Sequence, residues 1–588
     1  ALLSNTTADS NTGVGNDALY ANTTGTQNVA IGCFALDANT TASENTAIGY
    51  QALTANTTGG QNTAVGDQAL AANTTASDNT TVGRDSMQSN TTGASNTALG
   101  RGAMASNTTA NNNTAVGFIA LVSNTTGGFN VAVGANALDA NTTGGNNVGM
   151  GFAALGANTT ASENTAIGFA SLDANTTGAR NTAVGNSTLS TSSTVSDNTA
   201  IGNAALNVNT TGANNTAVGS YALDANTTAD ANTAVGYGAL TANTTGASNV
   251  ALGHNTLFAN TTGSNNTALG RGALDANTTA SSCTAVGIHA LTLNTTGDVN
   301  VAVGAYALDN NTTGSSNTAI GRAALDSNTT ADANTAVGRQ AMQANTTGAN
   351  NVAVGAYALD ANTTANDCTA VGTLALTANT TGARNTAVGR NAGYQLTTGE
   401  SNTYIGGDAG YGATTGDDNV AIGYNAGTGS SPSGSISSSS GIVCLGNNNV
   451  SSLFCADTSI SSSDARDKTD VENFTHGLSW INELRPVTYR WDRRTWYSDD
   501  KSVKPDGSKK HDRIHIGFIA QEAIEVEKKH GYADKKDNFL IANQDEDVND
   551  PSYGMKYERL VPVLVNAIKE LSTEITALKT KVTALESA

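Results

Sequence analysis

The chain lacks several residue types over most of its 588 residues. No proline occurs before Pro432 and no tryptophan before Trp480. Because proline removes a backbone hydrogen-bond donor, its absence favours segments whose amide groups pair continuously with their neighbours. The absence of tryptophan indicates a thin interior that does not accommodate very large side chains.

Long apolar runs are also missing. No stretch approaches ~20 consecutive apolar residues, so the sequence predicts no membrane insertion, and no signal peptide is visible. The cysteines are few and lack the spacing of a disulfide framework or metal site, and we interpret them as buried thiols rather than bridges between chains. They are Cys33, Cys283, Cys368, Cys444 and Cys455.

Lysine is absent before Ser463, and charge is unevenly distributed. The segment before Ser463 carries 8 arginines and 25 acidic residues, whereas the remainder carries 20 basic and 23 acidic residues. An acidic, Thr- and Asn-rich surface disfavours nucleic acid and anionic membranes as partners.

A 17-residue repeat occupies the first three-quarters of the chain. It recurs 25 times without insertion or deletion, from the unit opening at Asn11 to the unit opening at Asn419, with the consensus Asn-Thr-Ala-Val-Gly-x-x-Ala-Leu-x-x-Asn-Thr-Thr-Gly-x-x. We number its positions 1 to 17 from the first asparagine. So short a unit closes no core of its own and must bury its apolar face against the next unit.

Individual positions predict local structure. Position 5 is always glycine, which indicates a positive φ or a close backbone approach, and position 4 is always aliphatic or methionine. Position 1 is asparagine except at Cys283 and Cys368. Because cysteine is usually buried, we expect position 1 to point inward and its asparagines to stack as a hydrogen-bonded ladder.

The repeat predicts a mainly β fold. Positions 1 to 4 alternate like a strand, and the Ala-Leu pair at positions 8 and 9 precedes a turn-rich Asn-Thr-Thr-Gly. We therefore expect two short strands and two turns per coil. At ~4.8 Å per coil, the 25 units predict a rod of roughly 120 Å.

One thin coil buries little apolar surface, and several chains wound together would bury more. Residues 1–428 resemble the head repeats of trimeric autotransporter adhesins, which are left-handed parallel β-rolls, and the Asn-Thr-Ala-Val-Gly arrays of phage tail fibres. The resemblance implies a homotrimeric parallel β-roll or β-helix. Ala1 and Leu2 fall at positions 8 and 9 of the repeat, so we expect a preceding region that joins the rod to a virion tail.

Composition changes after the repeats. Residues 429–462 are rich in glycine and serine and are interpreted as a linker or cap, with a partial echo of the repeat at 442–446. The sequence Ser-Asp-Ala-Arg-Asp-Lys then runs from Ser463 to Lys468. A lysine whose pKa is lowered by burial can deprotonate a serine, although this spacing alone equally suits a solvated loop.

Three further segments support a functional interpretation of the spacing between Ser463 and Lys468. They are residues 484–491 (Leu-Arg-Pro-Val-Thr-Tyr-Arg-Trp), 517–522 (Gly-Phe-Ile-Ala-Gln-Glu) and 557–564 (Tyr-Glu-Arg-Leu-Val-Pro-Val-Leu). With 463–468, and in this order, they make residues 463–588 resemble the intramolecular chaperone domain of phage tailspikes and fibres, the self-cleaving peptidase family S74. We place that chaperone and autoprotease domain at 463–555.

The resemblance implies specific roles. Ser463 is the nucleophile that attacks the carbonyl of Ser462, Lys468 is the general base, and the Ser462–Ser463 bond is broken; Asp464 and Arg466 have orienting roles. The domain also promotes trimerisation and folding of the rod before its release. It requires no cofactor or metal.

The last segment, 556–588, predicts a parallel coiled coil. Apolar residues recur at alternating spacings of four and three, with β-branched residues at heptad position a and leucine at d. This pattern favours two strands, whereas the resemblance implies three, and a helix packed on its own domain remains an alternative for the first two turns. The predicted seam comprises Leu564, Ile568, Leu571, Ile575, Leu578, Val582 and Leu585.

Other polar residues in the rod predict no site. His254 and His289 lie two units apart at different positions of the repeat. Aspartates recur intermittently at position 10 without the dense oxygen cage of a calcium site, and we interpret them as a solvated stripe. The rod also lacks the clustered carboxylates of a glycan hydrolase. The stripe comprises Asp37, Asp139, Asp173, Asp224, Asp275, Asp309, Asp326 and Asp360.

Two functional classes follow. The first is a phage tail-fibre shaft that meets a host-surface receptor, either glycan or protein. The second is a bacterial cell-surface adhesin or an ordered-water-binding β-solenoid. A β-barrel anchor would indicate the adhesin. A regular outward Thr-x-Thr ladder would indicate the water binder, whereas the two threonines here are adjacent and should point to opposite faces.

Overall fold

A computed structural model describes residues 2–450, 471–493, 497, 504–535, 538–544 and 553–587. The chain forms two compact units. The first comprises residues 1–428 and 435–446, and the second comprises 429–434 and 447–588.

The first unit is a parallel β-solenoid, as the repeat predicts. Each 17-residue coil contributes one three-residue strand, formed by positions 2 to 4, and each strand pairs in parallel with the strand of the next coil. The register is constant: Thr46 pairs with Thr63, and Ile48 with Val65. The strands are β1 Thr12–Val14, β2 Val29–Ile31, β3 Thr46–Ile48, β4 Thr63–Val65, β5 Thr80–Val82, β6 Thr97–Leu99, β7 Thr114–Val116, β8 Val131–Val133, β9 Val148–Met150, β10 Thr165–Ile167, β11 Thr182–Val184, β12 Thr199–Ile201, β13 Thr216–Val218, β14 Thr233–Val235, β15 Val250–Leu252, β16 Thr267–Leu269, β17 Thr284–Val286, β18 Val301–Val303, β19 Thr318–Ile320, β20 Thr335–Val337, β21 Val352–Val354, β22 Thr369–Val371, β23 Thr386–Val388, β24 Thr403–Ile405, β25 Val420–Ile422 and β26 Val443–Leu445.

The prediction of a second strand in each coil is wrong. The Ala-Leu pair lies in a run of turns, and its leucine has a positive φ, as in Leu53 (φ 55°) and Leu70 (φ 55°). These leucines are fully buried and their amides are bonded to the next coil, for example Leu53 N–H to Ala69 O at 2.9 Å. Burial and the inter-coil bond together offset the cost of the left-handed conformation, about 1–2 kcal/mol per residue.

The invariant glycine at position 5 has both properties expected of it. Gly49 has a φ of 138°, and a Cβ atom there would overlap the carbonyl oxygen of Gly66 in the next coil. Any other residue would push neighbouring coils apart, because the obstacle is backbone rather than a movable side chain.

The interior of the coils is narrow. Positions 3, 8 and 9 point inward and carry mostly alanine and leucine, as at Ala47, Ala52 and Leu53, each 0% exposed. Since side chains alternate along a strand, positions 2 and 4 point outward.

The asparagines of position 1 form the predicted ladder. The Oδ1 of Asn28 accepts a hydrogen bond from the backbone N–H of Asn45 at 3.0 Å, and the Nδ2 of Asn45 donates to Gly59 O at 3.0 Å. Where cysteine replaces asparagine, the thiol copies part of this pattern. Cys283 is fully buried, and its Sγ donates to Gly297 O at 3.3 Å.

A second ladder, which the sequence reasoning assigned to a turn, runs along position 12. The Nδ2 of Asn56 donates to the Oδ1 of Asn39 at 3.0 Å and also to Gly59 O at 2.9 Å. Both ladders donate to the same backbone carbonyl at position 15, as at Gly59, and the position-1 ladder also accepts a bond from a backbone N–H of the next coil.

The solenoid continues beyond the 25 units. Strand β26 pairs with β25 after an interval of 23 residues rather than 17, and Cys444 points into the core. One more coil is thus built from the Gly- and Ser-rich segment.

The second unit contains three helices and two short antiparallel sheets within the described residues. Strand β27 (Val487–Tyr489) pairs with β28 (His515–Gly517), and β29 (Ala542–Gln544) pairs with β30 (Tyr553–Met555). The helices are α1 (Leu478–Glu483), α2 (Ala520–Lys529) and α3 (Leu560–Glu586), the last preceded by a 3₁₀ turn at Tyr557–Arg559. None of the helices in the described ranges has the length and apolarity to cross a bilayer.

The core of this unit lies between the helices and the sheet edges. Trp480 of α1 is the largest buried side chain among the described residues of this unit. It belongs to one apolar cluster with Ile541, with Ile524 of α2 and with Val563 of α3. The elements that carry the motifs at 484–491, 517–522 and 557–564 therefore share one core.

Candidate functional site

The predicted catalytic residues lie outside the described residues. Ser462, Ser463, Asp464, Arg466 and Lys468 all fall within 451–470. The serine–lysine pair and its cleavage site therefore stay predictions from the sequence.

The described chain begins again just after these residues and is attached to α3. The Nδ2 of Asn566 donates to Phe474 O at 2.6 Å, and the backbone N–H of Leu478 donates to the Glu570 carboxylate at 2.7 Å. Gly477 lies against the backbone of α3, where a Cβ atom would overlap Asn566 and Ala567. Residues 474–478 are thus held on the helix that carries the predicted coiled-coil seam.

The three other sequence motifs meet in this unit. Arg485 of the first motif forms an ion pair with Glu522 of the second, with Arg485 Nε 3.1 Å from Oε2. The backbone N–H of Phe518 donates to the hydroxyl of Tyr557, from the third motif, at 3.1 Å. A Cβ atom on Gly517 would overlap that hydroxyl, so glycine allows this close contact.

A buried carboxylate, absent from the sequence predictions, joins α2 to strand β29. Glu527 is 0% exposed and accepts three backbone N–H bonds, from Leu540 at 2.7 Å, Ile541 at 2.7 Å and Ala542 at 2.8 Å. A carboxylate suits this position because it offers only acceptors to three converging donors. The signal in the sequence was a glutamate on the apolar face of α2.

Two histidines join an aromatic cluster beside α1. His476 stacks on Trp480 with ring centroids 5.3 Å apart, and His530 contacts His476 at 5.2 Å. Glu483 lies 3.4 Å from His530 Nε2, and Lys529 beside it lowers the pKa of that carboxyl. Across the described ranges, no three His, Cys, Asp or Glu side chains converge as a metal site.

Helix α3 has two distinct faces. Leu560, Val563 and Ala567 are buried against their own unit, as the alternative for the first two turns anticipated. The seven predicted seam residues lie on another face and are 42–77% exposed. The seam is therefore an aliphatic stripe with no partner among the described residues.

The rod carries a second exposed aliphatic stripe. Position 4 points outward in all 25 units and is never buried; Ile31 is 39% exposed, Leu99 46% and Leu252 44%. Soluble monomers rarely expose contiguous apolar patches larger than a few hundred Å². We call this row the position-4 stripe.

The corner at positions 6 and 7 is chemically varied. In nine consecutive coils it presents an aromatic ring, a histidine or an arginine, exposed or half-buried, which we call the ridge. Neighbouring members touch: Tyr237 stacks on His254 at 5.3 Å, and the Arg339 guanidinium lies 5.0 Å from the Tyr357 ring. The ridge comprises Tyr221, Tyr237, His254, Arg271, His289, Tyr306, Arg322, Arg339 and Tyr357.

The position-10 aspartates are half-buried rather than solvated, which corrects the sequence interpretation. Burial raises the pKa of six of them, and Asp309 adds to the effect at Asp326. The six are Asp139, Asp173, Asp224, Asp275, Asp326 and Asp360.

The adjacent threonines of positions 13 and 14 differ in environment. The Thr40 hydroxyl donates to Thr57 O in the next coil at 3.2 Å, whereas Thr41 is exposed. Position 14 is an exposed threonine in every unit from the one opening at Asn11 to the one opening at Asn402, so one threonine row, not two, faces solvent from this corner.

Comparison with known proteins identifies a family that part of the second unit resembles. Residues 463–532 match the family model Peptidase_S74, described as the chaperone of endosialidase. No curated protein matches the chain. A repetitive parallel β-solenoid followed by a chaperone-of-endosialidase segment is the arrangement of a tail fibre or tailspike with a C-terminal chaperone domain.

Proposed function

We propose that the chain is the shaft of a bacteriophage tail fibre. Three copies assemble in parallel, the C-terminal domain directs their trimerisation and folding, and that domain then cleaves itself off between Ser462 and Ser463. The match of residues 463–532 to the chaperone family, beginning at the predicted nucleophile, is the observation that carries this proposal.

Association of the rods is supported by the position-4 stripe. In a parallel, in-register trimer, identical residues from the three chains meet around one axis. A uniform aliphatic row suits such a contact, because burying it stabilises the assembly by about 25 cal/mol per Å². The ridge does not suit it, because Arg271, Arg322 and Arg339 would each meet their own copies.

Self-cleavage follows the chemistry of an activated serine. Neutral Lys468 takes the proton from the Ser463 hydroxyl as its Oγ attacks the Ser462 carbonyl carbon, and the proton passes to the departing Ser463 amide nitrogen. The resulting ester between Ser462 and the Ser463 side chain is hydrolysed by water. The products are a rod ending in the Ser462 carboxylate and a released domain beginning with Ser463.

Cleavage after assembly has a physical benefit. The released domain no longer lowers the barrier between separate chains and the trimer, so the rod cannot unfold by the route along which it formed. Its persistence then depends on a slow unfolding rate rather than on equilibrium stability alone.

The cleavage proposal is tested on a denaturing gel. Wild type gives two bands divided at Ser463, whereas Ser463→Ala and Lys468→Ala give one full-length band. Ser461→Ala is the matched control, because it removes a neighbouring serine and leaves cleavage intact. Asp464→Ala and Arg466→Ala slow the reaction, and two bands from either dyad variant refute the assignment.

We further propose that the protein is part of a virion tail fibre and that its ridge binds a glycan on the host surface. Aromatic faces pack against the C–H faces of sugar rings, and guanidinium groups donate hydrogen bonds to sugar oxygens. The nine ridge coils extend about 38 Å at ~4.8 Å per coil, long enough for several sugars.

An array of bacterial surface polysaccharides tests this assignment. The purified shaft binds a subset of them, and the double variant Tyr237→Ala/Tyr306→Ala loses at least about tenfold in affinity. Tyr50→Ala, an aromatic at the same corner outside the nine coils, is the control. Unchanged binding by the double variant refutes the ridge as the glycan site.

The position-14 threonine row favours one second candidate, an ordered-water-binding solenoid on a bacterial surface. A measurement of ice recrystallisation with the purified rod separates the two. If the rod inhibits ice recrystallisation and Thr→Val substitutions along the row abolish that inhibition, the alternative is supported. If the rod does not inhibit ice recrystallisation, the tail fibre is supported.

A further inference from the structure

The apolar seam of α3 associates helices but does not by itself choose their register. Ile568, Ile575 and Val582 occupy position a, and leucine occupies every d position. A helix shifted by one heptad still places β-branched residues against β-branched residues and leucine against leucine. Something else must exclude the shift.

The flanking charges supply that information. With Ile575 at position a, Glu574 and Lys581 fall at g, and Lys579 and Glu586 fall at e. All four are exposed, and no salt bridge joins any of them to another described residue. They are therefore available to neighbouring helices.

In a parallel coiled coil, a residue at g faces the e residue five positions later on the neighbouring helix. In register, Glu574 meets Lys579 of the neighbour and Lys581 meets Glu586, so both pairs attract. After a one-heptad shift of one helix, Glu574 meets Glu586 on one side and Lys581 meets Lys579 on the other. Both shifted contacts repel.

We propose that this charge pattern fixes three α3 helices in parallel, in-register contact and thereby aligns the three rods; the proposal rests on the function proposed above. The rod alone tolerates shifts of 17 residues, because its coils repeat. The apolar seam alone tolerates shifts of seven.

The two periods exclude each other's errors. A slip of one 17-residue coil displaces a rod by ~4.8 Å along its axis, which is about three residues of α-helix and not a whole heptad, so the slip would take the apolar seam of the helices out of register. If the helices associate before the rods fold, only the charges can exclude a one-heptad shift between helices at that stage. Alignment thus depends on the four e and g residues when no rod contact yet exists.

Variants with exchanged charges distinguish an effect on the register of the helices from an effect on their association. The double variant Glu574→Lys/Lys579→Glu keeps attractive in-register pairs but also makes both shifted contacts attractive. The quadruple variant Glu574→Lys/Lys579→Glu/Lys581→Glu/Glu586→Lys inverts every charge and again penalises the shift. It is the matched control, because its contacts attract in register and repel after the shift, as in the wild type, although every charge is inverted.

Disulfide cross-linking measures the register of the helices directly. The full chain with Ser463→Ala is used, because blocking cleavage keeps α3 attached to the rod. One chain carries Leu571→Cys and a co-expressed chain carries Leu578→Cys, so a disulfide between position 571 of one chain and position 578 of the other reports a one-heptad shift. Tryptic peptide masses identify each disulfide. A disulfide that joins position 571 of two chains reports the correct register.

With wild-type charges, and with the quadruple inversion, shifted cross-links are expected at less than about a tenth of the homologous ones. The double swap raises them severalfold and lowers the yield of native rod. Equal shifted cross-linking in wild type and double swap overturns the register proposal even if trimers form. Absence of any inter-chain cross-link, with a monomeric native mass, instead overturns the proposed function.

Discussion

The position-12 ladder predicts that one natural defect can be repaired. The ladder runs from Asn158 Nδ2 to Asn141 Oδ1 at 2.8 Å, and from Asn175 Nδ2 to Asn158 Oδ1 at 3.0 Å. The next coil has Ser192 at this position, and the buried Oδ1 of Asn175 has no hydrogen-bond partner among the described residues. Ser192→Asn restores the missing donor.

The magnitude follows from the bonds exchanged. Satisfying a buried acceptor recovers about 1–3 kcal/mol, and losing the Ser192 hydroxyl bond to Asn209 O costs about 0.5–1.5 kcal/mol. The net expectation is a stabilisation of about 1–2 kcal/mol per chain. In a solenoid, this gain stays near the altered coil and its neighbours.

Hydrogen exchange followed by mass spectrometry measures the local effect. Since ~1.4 kcal/mol is a factor of ten, amides in the coils around Ser192 should exchange roughly 5- to 30-fold more slowly in the variant. Asn277→Ser is the matched control, because it removes the donor to Asn260 Oδ1, now at 2.7 Å, and should speed exchange there. Unchanged or faster exchange around position 192 in the Ser192→Asn variant would refute the ladder's energetic role.

Three further predictions concern buried ionisable groups. Burial raises the pKa of the Cys283 and Cys368 thiols to about 11, so a thiol reagent at pH 8 should label half-buried Cys33 in the native rod and leave these two until unfolding; equal labelling, read by peptide mapping, would contradict this. The six position-10 aspartates have folded-state pKa values above the ordinary 3.8, so ionisation opposes folding, and the rod should gain stability as pH falls from 7 towards 4; replacing all six by asparagine should flatten this gain in thermal melts, and an unchanged slope would count against it. Glu527→Gln removes one acceptor oxygen from three converging N–H groups and should destabilise the C-terminal unit by about 1–3 kcal/mol per unpaired donor, seen as a smaller cleaved fraction on heating, whereas exposed Glu525→Gln should have no effect.

The sequence predicted those features of the rod that repeat without local exceptions. Glycine at position 5 and the two cysteines at position 1 each report a single physical constraint, a backbone approach and a buried side chain. Alternation along positions 1 to 4 predicted the strand. The resemblance of the C-terminal region to the chaperone family was likewise readable from four motifs in order, and the match of residues 463–532 to the family model confirms it.

Other features depend on contacts that local sequence does not show. Leu53 adopts a positive φ because the neighbouring coil binds its amide and buries its side chain, which overrides the usual preference of leucine. The Asn-Thr-Thr-Gly cluster has the composition of a turn, which concealed the ladder at position 12. Tyr404 fills the core beside Gly393 and Gly410, which stand at position 9, where most coils carry leucine.

The structure gives a physical reason for the later motifs of the C-terminal region. Contacts among Arg485, Glu522, Phe518 and Tyr557 show why the later motifs occur together. The roles of Ser463 and Lys468 come from resemblance and depend on a cleavage assay.

Native mass spectrometry of the wild-type protein tests the central claim most directly, because one spectrum reports both strand number and chain length. The account predicts an assembly of three rods, each ending at Ser462, together with a separate fragment of residues 463–588. A monomeric rod, or a trimer whose chains all retain residues 463–588, would contradict it.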